Sequence, residues 1–349
     1  MASITDVAKR AGVSISTVSH VLNGTKFVGE DLKNRVLQAV EELGYQPNEM
    51  AASMKRRATN NIGVILPNIR MVFFPDVLKG IEDAAKEHGY KLFYFSTDYD
   101  FRKEREYLNL LKASWVDGII LDSSCPAEML EAYQQRLTDD PAGRRVPVVT
   151  TVAPFTAEEL GVITFDEEKA AEQTLDYLMG LGHERIGLLL GPQHIPMYER
   201  NMCGIQKSFA KHGKQLDPAD IMTGDYFAES GYQAVKAALA QGCAWSAIYS
   251  ANDQMAVGAM KAIKEAGLSI PGDIAITGAD GIYVTSLISP ALTTVEFPRY
   301  DMGYQAGKML IGMIQSGSRK GQHIQLEGKL IVRESTDASV KDDWVLTGW

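Results

Sequence analysis

The chain has 349 residues, of which 45% are hydrophobic and 23% charged, with a formal net charge of −9. That length predicts two or three domains; no run of 18 apolar residues is present and no charged-then-apolar leader opens the chain, so neither a membrane span nor a secretory signal is expected, and the expected location is cytoplasmic. Three cysteines, Cys125, Cys203 and Cys243, are odd in number and share no C-x-x-C spacing, which speaks against a disulfide framework and a zinc site. No metal and no cofactor is expected.

The charge is unevenly spread. Residues 1–60 carry eight Lys/Arg against six Asp/Glu, and the remainder carries 27 basic against 38 acidic residues. A mildly basic head on an acidic body suggests a nucleic-acid reader joined to a domain with another task.

In the head, Ile4, Val7, Ala8 and Ala11 fall at i, i+3, i+4 and i+7, the stripe of a short amphipathic helix with Thr5 as its expected cap and Gly12 as its end. Ser14 is a second N-cap candidate; Val18, Val21 and Leu22 repeat the pattern until Asn23-Gly24. A third stripe, Leu32, Val36, Leu37, Val40 and Leu43, closes with Gly44. Two helices across a tight turn, covered by a third, read as helix-turn-helix. The same periodicity also suits an ordinary three-helix bundle. In a helix-turn-helix the second helix enters the major groove. Its solvent face is Ile15, Ser16, Ser19, His20 and Asn23: Ser16 and His20 can bond base edges, Ile15 can meet a thymine methyl, and Thr17, Ser19 and Lys26 suit phosphate.

The run "ITDVAKRAGVSISTVSHVLNG", followed by "KNRVLQAVEELGYQPNEMAASMK", resembles the DNA-binding head of the lactose-repressor/galactose-repressor family of bacterial transcription regulators. Within it, "TVSHVLNGTKFV" is most similar to the recognition helix of the purine-repressor members, which implies Ile15, Ser16, His20 and Lys26 as groove-facing positions. The resemblance divides the chain into a head (1–46), a hinge (47–60) and an effector-binding, dimerising body (61–349). The hinge "PNEMAASMKRRATNNIG" begins with a helix breaker, and its helix-forming stretch is shorter than the ~12 residues a lone helix needs in water. The resemblance implies paired hinge helices that fold in the minor groove at the operator centre, with Met54 as a wedge between base steps and Lys55, Arg56 and Arg57 adding phosphate attraction.

From Ile62 onward β-rich runs alternate with helical ones: "IGVILP", "YKLFYFST", "VDGIILD", "VPVVTTV", "GVITFD", "RIGLLLG", "SAIYSAN" and "IAITGAD" are the strand candidates. Such alternation predicts an α/β body of doubly wound parallel sheets in two lobes, with a cleft at the carboxyl ends of the strands. Phe73-Phe74, Asp98, Asp122 to Ser124, Asn252-Asp253 and Asp280 follow strands and are candidates to line it, although Asp166 and Asp253 read better as helix caps and Phe73 as core. The resemblance continues through "VDGIILDS", "LGHERIGLLLGP", "SANDQMAVGAMKAI" and "PALTTVEFP" and implies a two-lobed, periplasmic-binding-protein-like (type I) fold, the N-lobe about 61–160 and 292–322 and the C-lobe about 161–290 and 323–338. It also implies Phe74, Tyr226, Asn252 and Asp280 as effector contacts. The body departs from the family pattern at two places: Asn201 stands where an effector-gripping arginine is usual, with Arg200 beside it, and Val152-Ala153 replaces an Asp-Arg pair. With Ile195, Met197 and Asn201 in place of purine-binding residues, a purine effector is disfavoured.

No G-x-S-x-G, H-E-x-x-H or P-loop motif occurs, and His183 reads as a loop residue, so no catalytic residue is expected. A head that reads a half-site calls for a homodimer on a palindromic double-stranded DNA operator. The C-terminal "DASVKDDWVLTGW" has no leucine heptad, so the family's tetramerising tail is not expected; Trp344 and Trp349 have no assigned role. The expected function is a DNA-binding repressor controlled by a small-molecule effector, a sugar or sugar derivative, in the interlobe cleft. The alternatives are control by a phosphorylated carrier-protein corepressor and, behind that, a sugar-processing enzyme.

Overall fold

The computed structural model describes residues 2–24, 26–45, 58–113, 116–139, 146–152, 155–318 and 320–340. They fall into two units divided after Thr59. Most of the hinge, including Met54 and Lys55, lies outside the described residues, as do Ala153, Trp344 and Trp349.

The first unit holds α1 (Ile4–Ala11), α2 (Ile15–Asn23) and α3 (Glu30–Glu42). The cap of α1 is Ser3, not the expected Thr5: its hydroxyl accepts from the Asp6 N–H while the Asp6 carboxylate accepts from the Ser3 N–H at 2.8 Å. An acid three residues after a serine closes this reciprocal box, which leaves Thr5 inside the first turn. Gly12 ends α1 at φ +66°, a conformation costly to residues with a Cβ, and the Arg35 guanidinium donates to the Ala11 carbonyl at 2.6 Å. Val7, Ala8, Ala11, Val18, Val36 and Ala39 form the core. Leu32 and Leu37, expected in the α3 stripe, are instead 37% and 45% exposed. Helical spacing from Val36 selects Ala39, Val40 and Leu43, and the wider stripe overcounted its apolar width.

The second unit carries two six-stranded sheets. The first comprises β1 (Asn61–Leu66), β2 (Lys91–Ser96), β3 (Gly118–Leu121), β4 (Val148–Thr150), β5 (Gly161–Phe165) and β11 (His323–Leu326), in the order β11-β5-β4-β3-β1-β2 and parallel throughout. The second comprises β6 (Ile186–Leu190), β7 (Ile221–Thr223), β8 (Ala247–Ser250), β9 (Ala275–Asp280), β10 (Thr293–Glu296) and β12 (Lys329–Ile331), in the order β12-β10-β9-β8-β6-β7; here β12 alone runs antiparallel. The eight strand candidates are β1 to β6, β8 and β9; β7, β10, β11 and β12 add three- and four-residue strands, IMT, TTVE, HIQL and KLI, which lack the longer apolar runs around the equally short β3, β4 and β8.

Three crossings between lobes differ from the expected boundaries. Strand β5 pairs with β4, so the first crossing follows Phe165 rather than residue 160. Strand β10 pairs with β9, so the return follows Glu296 rather than residue 291, and β11 pairs with β5, so the last crossing follows Leu326 rather than residue 322. A short buried strand reads alike whichever sheet receives it; its partner is a tertiary choice.

The first sheet is flanked by α4 (Phe73–Glu87), α5 (Phe101–Lys112) and α6 (Leu130–Thr138), and the second by α7 (Glu167–Gly180), α8 (Pro196–Lys211), α9 (Ala228–Ala240), α10 (Asp253–Glu265) and the short α11 (Val284–Leu287). The last helix, α12 (Arg299–Ser316), returns to pack on α4. There a Cβ at Gly80 would lie 2.1 Å from the Tyr300 carbonyl oxygen, and one at Gly303 would lie 2.0 Å from that of Val77. The two helices therefore touch backbone to backbone. Among the described residues no helix is long and apolar enough to cross a membrane.

Candidate functional sites

In the first unit, Ser14 Oγ caps α2 by accepting from the Thr17 N–H at 3.1 Å, and it also meets the hydroxyls of Ser16 at 2.7 Å and Thr17 at 2.9 Å. This cluster fixes the first turn of the helix. Ile15 is 47% exposed, Ser16 and Lys26 are exposed, and Thr17, Ser19 and His20 are half-buried, while Val18 is fully buried against α1 and α3. The side chain of Asn23 lies outside what is described. One face of α2 thus packs the core, and the other carries the hydroxyl, imidazole and aliphatic groups that can read a groove.

In the second unit, parallel strands of both sheets end on one cavity of about 70 Å3. After β1 come Met71, Phe73 and Phe74; after β2, Tyr99; after β3, Asp122, Ser123 and Ser124; after β4, Thr151 and Val152. Phe165 ends β5 and Glu167 opens α7; beyond β6, β7 and β8 lie Ile195, Tyr226 and Asn252, and Asp280 ends β9. Side chains that follow parallel strands in two facing sheets converge because both sheets aim their carboxyl ends at the same crevice. A Cβ at Gly191 would come within 2.0 Å of the Tyr226 ring, so the missing side chain makes room for that ring. Tyr226 itself has φ +71° and is buried.

Phe74, Asn201, Tyr226, Asn252 and Asp280 all line this cavity. Asp98 does not: it is exposed and ion-paired with Lys103 at 3.0 Å, because the chain turns at positive φ after β2 and sends Tyr99 inward in its place. Arg200 stands one layer behind, its guanidinium 2.6 Å from Glu167, which is the group that reaches the cavity. Phe73, expected in the core, lines the cavity half-buried, edge-on to Phe74 and Phe165. Asp166 caps α7 as expected, but the cap of α10 is Asn252, and Asp253 is fully buried, accepting from Thr294 Oγ1 at 2.6 Å and the Ile282 N–H at 2.9 Å. His183 bonds Ser246 at 2.9 Å, a loop contact. Tyr99, Thr151, Phe165, Glu167, Tyr249 and Phe297 were not anticipated. Tyr99, Thr151, Glu167 and Phe297 lie one to three residues past strand ends, where position was the only signal, whereas Phe165 and Tyr249 lie within β5 and β8 and read as core aromatics.

Burial sets the electrostatics. It pushes the Asp122 carboxyl up to about 7, against a 2.7 Å hydrogen bond from Thr151, with Glu104 and Glu167 adding to the rise. Burial also raises Glu167 despite Arg200. Asp280 is raised well above the usual carboxylate range by burial and by Asp253 beneath it, while Arg299 opposes the rise. Tyr99, Tyr226 and Tyr249 are all raised by burial, so they stand as neutral hydroxyls. The cavity is therefore lined by neutral tyrosine hydroxyls and by carboxyls that burial biases towards protonation.

Residues 3–48 match the family profile "Bacterial regulatory proteins, lacI family", and residues 59–334 match "Periplasmic binding proteins and sugar binding domain of LacI family". The chain is 33% identical over 339 residues to the HTH-type transcriptional regulator RegA of Clostridium saccharobutylicum, covering 96% of this chain and 99% of that protein. It is 31% identical to catabolite control protein A of Priestia megaterium over 96% of this chain and 99% of that one. Among solved structures, the lac repressor dimer bound to operator and the anti-inducer ONPF superposes with a TM-score of 0.85 at 27% identity, over 96% of this chain and 99% of that chain.

Proposed function

The chain belongs to the LacI family of bacterial regulatory proteins, and from that premise we propose that it is a cytoplasmic, homodimeric repressor whose two heads read a palindromic operator and whose interlobe cavity takes a small effector, a sugar or sugar derivative. The observation that carries this reading is the convergence of strand ends from both lobes on one cavity, in a chain whose second helix turns hydroxyl, imidazole and aliphatic groups away from its core.

Two heads supply the two half-site contacts that a single small module lacks. Ile15, Ser16 and His20 face base edges, and Thr17, Ser19, Asn23 and Lys26 face phosphate or the groove edge. Met54 and Lys55 act at the operator centre, where inserting a side chain between base steps costs a few kcal/mol and is easiest at a flexible pyrimidine-purine step. A ligand in the cavity touches both lobes, so its affinity depends on how far they are closed. That difference alone can shift the DNA-competent population, and couplings of about 1–3 kcal/mol change operator affinity roughly 5- to 150-fold. Control by a phosphorylated carrier-protein corepressor would leave the cavity without a role, and the cavity therefore favours a small molecule.

The test is selection of a duplex from a random pool by the purified full chain, followed by affinity measurements against salt. Ser16→Ala and His20→Ala should each cost about 1–3 kcal/mol on the selected duplex with little effect on random DNA. Lys26→Ala should weaken both and reduce the salt slope by about 1. Failure to select any duplex would refute the reading.

A further inference from the structure

The effector reading leaves the ligand's charge open, and the cavity constrains it through the polar atoms that remain uncommitted. Most of the side-chain donors are already engaged. The Tyr99 hydroxyl donates to Met71 Sδ at 2.7 Å, that of Tyr249 to Asn201 Oδ1, that of Thr151 to Asp122 at 2.7 Å and that of Ser123 to Glu104 at 2.6 Å. Both amides are used too: Asn201 Nδ2 donates to the Met197 carbonyl at 3.0 Å and Asn252 Nδ2 to that of Tyr226 at 2.9 Å. The nearby guanidiniums are paired as well, Arg200 with Glu167 at 2.6 Å and Arg299 with Asp76 at 2.8 Å and with the Asp280 carbonyl.

Apart from the Tyr226 hydroxyl, which makes no hydrogen bond to the described residues, what remains is chiefly acceptors, among them the Glu167 oxygen that Arg200 does not bond. Thr151 bonds one oxygen of Asp122 and leaves the other, and the Asp280 side chain makes no hydrogen bond among the described residues. Ser124 lines the same cavity, is 3% exposed, and its hydroxyl has no hydrogen-bond partner among the described residues. A neutral polyol can donate to such acceptors, but in mildly alkaline solution, where Asp122 ionises, it leaves that carboxylate enclosed without a counter-charge, and burying charge without one is costly. A phosphorylated ligand adds like charge.

Resting on the effector reading, we propose that the ligand is a compact organic cation, an amine whose N–H donors engage Asp122 from one lobe and Asp280 from the other, with Ser124 as a third contact. Tyr99 and Tyr226, which come from opposite lobes with ring centroids 6.4 Å apart and planes inclined by 24°, supply the aromatic faces that favour a cation. Among the described residues no three His, Cys, Asp or Glu side chains gather to hold a metal ion, which points to an organic cation. Neutralising both carboxylates at once is a stabilisation available when the lobes are closed, and it gives the ligand the differential affinity a switch requires.

The experiment is thermal shift and calorimetry on the full chain, at mildly alkaline pH, with matched probes: glucosamine, glucose and a glucose phosphate; putrescine and butanediol. The expected result is that a cationic probe stabilises the wild type and the Asp98→Asn control, whose exposed carboxylate lies outside the cavity, and binds about tenfold or more weakly to Asp122→Asn and Asp280→Asn. Asparagine tolerates the positive φ at residue 280, and unaltered melting of the unliganded variants checks their folding. Preference for a neutral or phosphorylated probe over its cationic analogue, or unchanged cation affinity in both variants, would overturn the inference and leave the effector reading standing. Silence of the whole panel towards the wild type would overturn both.

Discussion

Replacing Asp122 with asparagine should flatten the dependence of stability on pH across the acid-to-neutral range. In the folded chain burial lifts this carboxyl to about 7, while in the unfolded chain it titrates near about 4. Between those values the native state holds a proton that the unfolded state releases. The stabilisation is therefore complete below about pH 4 and is lost as pH rises through about 7. A rise from about 4 to about 7, at about 1.4 kcal/mol for each tenfold change in proton affinity, sets a ceiling of about 4 kcal/mol. Because the residue is half-buried, so that water reaches part of it, about 2 kcal/mol is the expected size. Asp253 and Asp280 are raised as well, so the wild type should lose more than this single contribution. Urea unfolding followed by tryptophan fluorescence, with Trp245 buried in the body, measures the difference between mildly acidic and mildly alkaline buffer. Asp122→Asn should reduce that difference by about 2 kcal/mol. An identical difference in the variant, or a wild type that grows more stable as pH rises, would refute the argument.

Two further substitutions separate the two units. Gly191→Ala places a methyl 2.0 Å from the Tyr226 ring and must displace it, so effector affinity should fall about tenfold or more while operator affinity without effector is retained, as read by calorimetry and DNA titration. Arg35→Ala removes the 2.6 Å bond to the Ala11 carbonyl and should cost the head about 1–3 kcal/mol, read as faster amide exchange in α1 and weaker operator binding with unchanged effector binding.

The sequence by itself carried the parts of this protein governed by local periodicity and by end signals. The stripes through Val7, Val18 and Val36 and the stops at Gly12 and Gly24 specify the three-helix head, because helix geometry repeats within a few residues and a left-handed cap strongly favours glycine. Alternation of apolar strands with helices likewise specified a doubly wound body, and the carboxylates at the strand ends marked Asp122 and Asp280. Tertiary structure alone decided which sheet receives β5, β10 and β11, since a short buried strand carries no label for its partner. It also decided that Tyr99 rather than Asp98 enters the cavity and that Glu167 reaches it with Arg200 behind. Direction at a strand end depends on one or two backbone angles and on which neighbour fills the space, and those are properties of the packed molecule rather than of any short run of residues.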